Sequence, residues 1–220
     1  MKNKIHKKFK GFTLAETLIT LTILGVIAAA TIPGLVMHMQ KSETVTGMKK
    51  AYSTLSNAIT KFDNENYVTG YVKFWKTDDE LFEGITKQIN TEKICEKDTE
   101  GCFTDKPLKA LNNSSIEAYN GKDYTFRATD GICYQFSIGA DAAATMGISP
   151  DDITKAIGTF AADVNGDTGP NKIGRDIFFY VFVEGKGIVP AGYYNHSDCT
   201  PDGQGYGCAG RLMQEGKMKY

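Results

Sequence analysis

The run Lys8-Phe9-Lys10-Gly11-Phe12-Thr13-Leu14-Ala15-Glu16 leads directly into Thr17-Leu18-Ile19-Thr20-Leu21-Thr22-Ile23-Leu24-Gly25-Val26-Ile27-Ala28-Ala29-Ala30-Thr31-Ile32-Pro33. From Thr17 to Gln40 no side chain carries a formal charge. At about 1.5 Å per residue, a helix over that stretch is about 36 Å long, enough to cross a hydrocarbon core. Ahead of it lie Lys2, Lys4, Lys7, Lys8 and Lys10 and no acid, which keeps this leader on the cytoplasmic side and places the rest of the chain across the membrane. Glu16 breaks the apolar pattern. A lone ionised carboxylate in lipid is expensive and calls for a cation. Cutting the chain between Gly11 and Phe12 would create one, an α-amino group in the same apolar layer with Glu16 as the fifth residue counted from it. In copies staggered along their helix axes, the carboxylate of one would neutralise the amine of the next, which is a physical reason for self-assembly.

A basic leader ending in Gly11, then Phe12 and Glu16, the apolar helix, Gly25 and Pro33 together resemble the prepilin N-terminus of type IV pilins and type II secretion pseudopilins. The resemblance covers roughly the first quarter of the chain. It implies that a membrane aspartyl peptidase, the prepilin peptidase, cuts after Gly11 and methylates the Phe12 amine. It also implies that Phe12, Glu16 and Pro33 serve assembly, the helix melting near Pro33 as subunits leave the bilayer. The expected partners are other copies or related pilin subunits in a helical filament, the pilus or secretion assembly machinery, and the bacterial inner membrane. There the chain would sit as a single-pass protein with its head outside the cytoplasm, becoming an extracellular or periplasmic filament after assembly. Two plainer readings compete. A secretory signal peptide cut at Ala28-Ala29-Ala30 would contain Glu16 and exceed the usual 7–15-residue core; a simple anchor leaves Glu16 unexplained.

The chain has 220 residues with 25 basic and 26 acidic side chains. Without the five leader lysines, 20 basic residues face 26 acidic ones, a formal charge near −6 that argues against broad nucleic-acid binding through a cationic face. Cys95, Cys102, Cys133, Cys199 and Cys208 all lie beyond the span, where an oxidising compartment permits disulfides. Short separations favour Cys95 with Cys102 and Cys199 with Cys208, although spacing alone does not establish connectivity. Cys133 is left over, in the strand-like Ile132-Cys133-Tyr134-Gln135-Phe136, where it reads as a small buried hydrophobe. No C-x-x-C pair occurs and there are three histidines, which argues against a structural zinc centre.

The expected organisation is a leader over 1–11, a transmembrane and assembly helix over 12–37, its amphipathic continuation over 38–66 and a globular head over 67–220. Pro33-Gly34 predicts a kink. Val45, Met48, Tyr52, Leu55, Ile59 and Phe62 recur at helical spacing, a stripe that should dock on a sheet. A short helix is expected over 78–89, with its acids in the first turn. Trp75 reads as core. Strands are expected at 124–128, 132–138, 160–164 and 177–183, the first two joined as a hairpin through Thr129-Asp130-Gly131. A long helix on an antiparallel sheet of about four strands makes the fold class α+β.

Between the last two strands, Asp163, Asn165, Asp167 and Asp176, with Asn171, have the look of a calcium loop, since a hard cation gathers several oxygens round a tight turn. The twelfth position, where an EF-hand needs a bidentate acid, is Gly174, so the match is partial, and an Asx-rich turn is the competing reading. The loop also resembles a strand-joining segment of some prepilin-like proteins. The Gly-rich stretch 199–208 resembles the cysteine-closed C-terminal loop of many pilins, and 209–220 reads as either helix or strand. No catalytic constellation is recognisable: His196 and Asp198 are too close in sequence to orient a nucleophile, and no phosphate-binding Gly loop is present. The function expected is a non-enzymatic filament subunit of type IV pilus type. The alternatives are a type II secretion pseudopilin and a signal-peptide-secreted binding module with calcium as cofactor.

Overall fold

The computed structural model describes residues 11–65, 77–95, 101–104, 107–116, 123–166 and 168–220. The chain divides into two units, Met1–Gln40 and Lys41–Tyr220. In chain order the elements are α1 (Leu14–Glu65), α2 (Asp78–Thr86), β1 (Thr91–Cys95), β2 (Leu108–Lys109), β3 (Ser115–Ile116), β4 (Tyr124–Ala128) and β5 (Cys133–Ile138). A 3-10 turn (Asp141–Thr145) follows, then α3 (Pro150–Ile153), β6 (Ala156–Asp163), β7 (Ile177–Val183), β8 (Gly187–Pro190) and α4 (Cys208–Glu215).

The second unit is an α+β fold. Its main sheet is antiparallel with strand order β1-β4-β5-β6-β7-β8, beside a small β2-β3 ribbon. The sheet therefore has six strands, two more than the sequence reading placed. Strand β1 was missed because Thr91-Glu92-Lys93 is polar and its middle is solvent-exposed; β8 was missed because four residues ending in Pro190 look like a loop. Pro190 is tolerated because β8 is an edge strand, bonded among the described residues to β7 alone.

From Val45 to Phe62, α1 buries one stripe: Val45, Met48, Ala51, Leu55, Ala58, Ile59 and Phe62. The helical period brings these positions to one face, and they share a core with Phe126, Tyr134, Phe136, Phe160, Phe178, Tyr180 and Phe182 of the sheet. Strand β7 is buried along its whole length. Its alternate residues Phe178, Tyr180 and Phe182 join the helix-side core, while Ile177, Phe179, Val181 and Val183 join a second core with Phe103, Ile148 and Ile173. The Tyr180 hydroxyl donates to the Met48 carbonyl at 2.7 Å, so the one polar side-chain atom on that side of β7 is satisfied by the docked helix. Close approach requires Gly47, where a Cβ would lie 3.0 Å from Val164 Cβ. Lys50 reaches Asp130 in the β4–β5 turn at 3.0 Å.

Helix α2 starts at Thr77, whose hydroxyl accepts from Glu80 N at 3.2 Å. It packs through Leu81, Phe82 and Ile85, with Phe82 stacked on Tyr124 at 4.7 Å between centroids. The Tyr124 hydroxyl donates to Asp79 at 2.6 Å, and this bond, with burial and the nearby acids, pushes the phenol up to about 12. The C-terminal stretch expected as helix or strand is helical over Cys208–Glu215 and stops at Gly216, in the left-handed conformation usual for a helix end. Trp75 lies outside the described residues.

Candidate functional site

Two regions hold the residues that the sequence singles out: the start of α1, and the loops that close the head.

Gly11, Phe12 and Thr13 precede α1, and Phe12 is 87% exposed. Thr13 caps the helix. The Glu16 backbone N–H donates to Thr13 Oγ1 at 3.2 Å, while Glu16 Oε2 accepts from the Thr13 backbone N–H and from the Thr13 hydroxyl, both at 2.8 Å. This is a reciprocal capping box, satisfying donors that a helix start leaves open. Thr13 is a functional residue that the sequence reading missed, and the signal was present as Thr13-x-x-Glu16. The other carboxylate oxygen, Oε1, takes none of these bonds. Glu16 is thus fixed beside the first helical turn, with Phe12 one residue ahead of the cap.

Beyond the cap no residue up to Gln40 is buried, and Leu18, Ile19, Leu21, Leu24 and Val26 are each more than half exposed. The hydroxyls of this stretch are turned back onto the helix: Thr17 on Leu14 O (2.8 Å), Thr20 on Thr17 O (3.0 Å), Thr22 on Leu18 O (2.8 Å) and Thr31 on Ile27 O (2.9 Å). Each of these threonines then presents a methyl group outward and hides its donor, which suits a helix in contact with lipid or another apolar helix. By length and composition α1 can cross a membrane. The helix runs unbroken through Pro33.

Residues 6–32 match the prokaryotic N-terminal methylation motif. That motif is typical of type IV pilins and pseudopilins, and it implies processing by prepilin peptidase. Together with the long helix on an antiparallel sheet, it makes the architecture pilin-like. No curated protein and no solved structure matches the chain.

In the head, Cys95–Cys102 and Cys199–Cys208 are disulfides. The second closes the loop ahead of α4, where Asp198 accepts from Gly207 N at 3.1 and 3.2 Å and the Arg211 guanidinium donates to the Cys199 carbonyl. Cys133 takes part in neither disulfide and is buried in the second core. His196 Nδ1 sits 3.3 Å from the Gly192 carbonyl, within the same loop system.

The loop 163–176 turns Asp163 and Asp176 inward. Asp163 is fully buried and Asp176 is 2% exposed. Asp163 Oδ1 accepts from Asn165 N at 3.2 Å, and Asp176 accepts from Asn171 N at 2.7 Å and Lys172 N at 2.5 Å, one bond to each oxygen. Burial raises the Asp176 carboxyl, and those backbone donors act against the rise. Asn165 Nδ2 donates to the Gly169 carbonyl at 3.3 Å. Asp167 lies outside the described residues. Among the described residues no three His, Cys, Asp or Glu side chains gather into a metal-sized group. What the described donors fit is a turn in which carboxylates cap backbone N–H groups.

Proposed function

We propose that the chain is the structural subunit of a type IV pilus-like filament. In this reading the prepilin peptidase cuts it after Gly11 and methylates Phe12. The mature chain is held in the bacterial inner membrane by α1 with its head outside the cytoplasm, and it assembles helix against helix. The observation that carries this is the methylation motif placed on a helix whose first 27 residues, Leu14–Gln40, bury nothing of their own. Such an apolar surface needs lipid, and then other copies of itself, to cover it. The Glu16 carboxylate supplies the register: cleavage gives Phe12 of a neighbouring copy an amine to meet the oxygen that Thr13 leaves open. The docked half, Lys41–Glu65, makes the head one body with its own stretch of helix, so that subunits stack through the preceding segment. No catalytic role is assigned to the chain.

The test is imaging and fractionation. Cells expressing the chain with its assembly machinery should yield sheared surface fibres containing it, by electron microscopy and immunoblot. Chain confined to the periplasm, together with a secretion defect on deletion and no fibres, would favour the secretion pseudopilin instead.

A further inference from the structure

The loop that buries Asp163 and Asp176 shows cations on its outer side. Lys109 of β2 and Lys172 form a parallel bridge, with Lys109 N donating to the Asn171 carbonyl at 3.2 Å and Ile173 N to the Lys109 carbonyl at 2.8 Å. Arg175 lies on the next turn. These three cations, with Asn113, Gly169 and Pro170, line an open cleft of about 410 Å³. Among the described residues no acidic side chain lines it. Lys172 Nζ is held by Asn113 Oδ1 at 2.7 Å, whereas Lys109 and Arg175 are exposed and have no ion-pair partner among the described residues.

Like charges on neighbouring positions of a bridge destabilise it, and a third cation on the same cleft adds to the repulsion. In a mature chain with an excess of acids, the two described acids of the 163–176 loop do not relieve this: Asp163 and Asp176 are buried and Asp176 has a backbone N–H on each oxygen. The backbone is specialised here as well. Asn113 (φ 70°) and Asn171 (φ 53°) are the two non-glycine residues in the left-handed region among the described residues, and both flank this cleft. Repulsion that no carboxylate among the described residues relieves, and uncommon backbone at one concave place, mark a site that a ligand completes.

We infer that this cleft binds a phosphoryl group. Three positive charges suit a dianion better than a single carboxylate, with the Arg175 guanidinium as a planar fork and the two ammonium groups as point charges. The volume is in the range of small-molecule sites and exceeds what one phosphoryl group fills. The ligand class is therefore a phosphomonoester carried on a small polar molecule.

Full-length protein in neutral detergent micelles, at low salt and mildly alkaline pH, is titrated with inorganic phosphate and, separately, with acetate, by isothermal calorimetry. Saturable one-site binding of phosphate, with acetate weaker, is expected. Lys109→Gln and Arg175→Gln should each weaken phosphate binding about tenfold or more, as loss of a charge-assisted bond implies. Lys49→Gln and Lys61→Gln, on exposed positions of α1, should leave it unchanged. Circular dichroism spectra identical to the parent show that each variant is folded. The inference is overturned if phosphate does not saturate, if acetate binds as tightly, or if the α1 variants weaken binding as much as the cleft variants. It is independent of filament assembly and leaves that reading untouched if it fails.

Discussion

The same substitution, Leu→Ala, should have opposite consequences at two places on one helix. Leu55 is fully buried in the stripe that α1 shares with the aromatic face of the sheet; Leu21 is 65% exposed in the stretch that buries nothing. Truncating a buried leucine removes its transfer free energy and leaves a cavity, about 2.7–5.0 kcal/mol in all. For a unit the size of the head each kcal/mol is worth about 2–4 °C, so Leu55→Ala should lower the melting temperature by roughly 5–20 °C. Leu21→Ala opens no cavity and should leave the melting temperature of the head unchanged, while lowering the yield of sheared filament. The assay is thermal unfolding of the full chain in detergent, followed by near-ultraviolet circular dichroism of the buried tyrosines, in parallel with filament fractionation. Equal melting temperatures for the two variants, or a loss of head stability in Leu21→Ala, would refute the division of α1 into a docked half and an assembling half.

Glu16→Ala and Glu16→Gln separate the two roles given to that carboxylate: both should be processed, both should lower filament yield because the charge is gone, and only Glu16→Gln should retain the side-chain half of the capping box, read as protection of the Thr13 amide by hydrogen exchange. Thr13→Ala should lose the cap and keep part of the assembly; filament yield from Glu16→Gln equal to the parent's would remove the charge pairing. Replacing Cys199 and Cys208 by Ala opens a ten-residue loop and should cost about 3 kcal/mol by loop-closure entropy, measured by urea unfolding against the oxidised parent. Asp152 is held by Lys186 at 2.6 Å; burial works against its ionisation, but Lys186 and Ser149 outweigh that and bring its carboxyl below the ordinary value of 3.8. A lowered carboxyl stabilises the fold above the unfolded-state value and loses that contribution as pH falls through the folded one. The stability difference between the parent and Lys186→Met should therefore be full at neutral pH and shrink as the solution is acidified below about pH 4, as denaturant titrations across that range would show.

The central elements were legible where one periodicity ran long enough. The apolar run from Thr17 and the stripe Val45, Met48, Leu55, Ile59 and Phe62 gave one helix, and Ile177–Val183 announced a strand buried on both faces because no charged or amide side chain interrupts it. Edge strands were not legible: Thr91–Cys95 and Gly187–Pro190 are short, and β1 borrows its hydrogen bonds from β4 instead of showing a pattern of its own. The cap Thr13-x-x-Glu16 could have been read from its spacing, yet an apolar helix draws attention to the charge on Glu16 and away from the threonine that holds it. Residue types alone could not settle the loop 163–176. Asp163 and Asp176 have the spacing of ligands, but burial and backbone donors decide which way they face, and those depend on β6 and β7 being neighbours in the sheet.

The most direct measurement is the mass of the mature N-terminus. Intact-mass and N-terminal peptide analysis of protein purified from cells that contain the processing enzyme should find a chain beginning at Phe12 with one methyl group on its amine. A chain that keeps Met1–Gly11, or one that begins at Thr31, would contradict the account, because Glu16 would then have no Phe12 amine to meet.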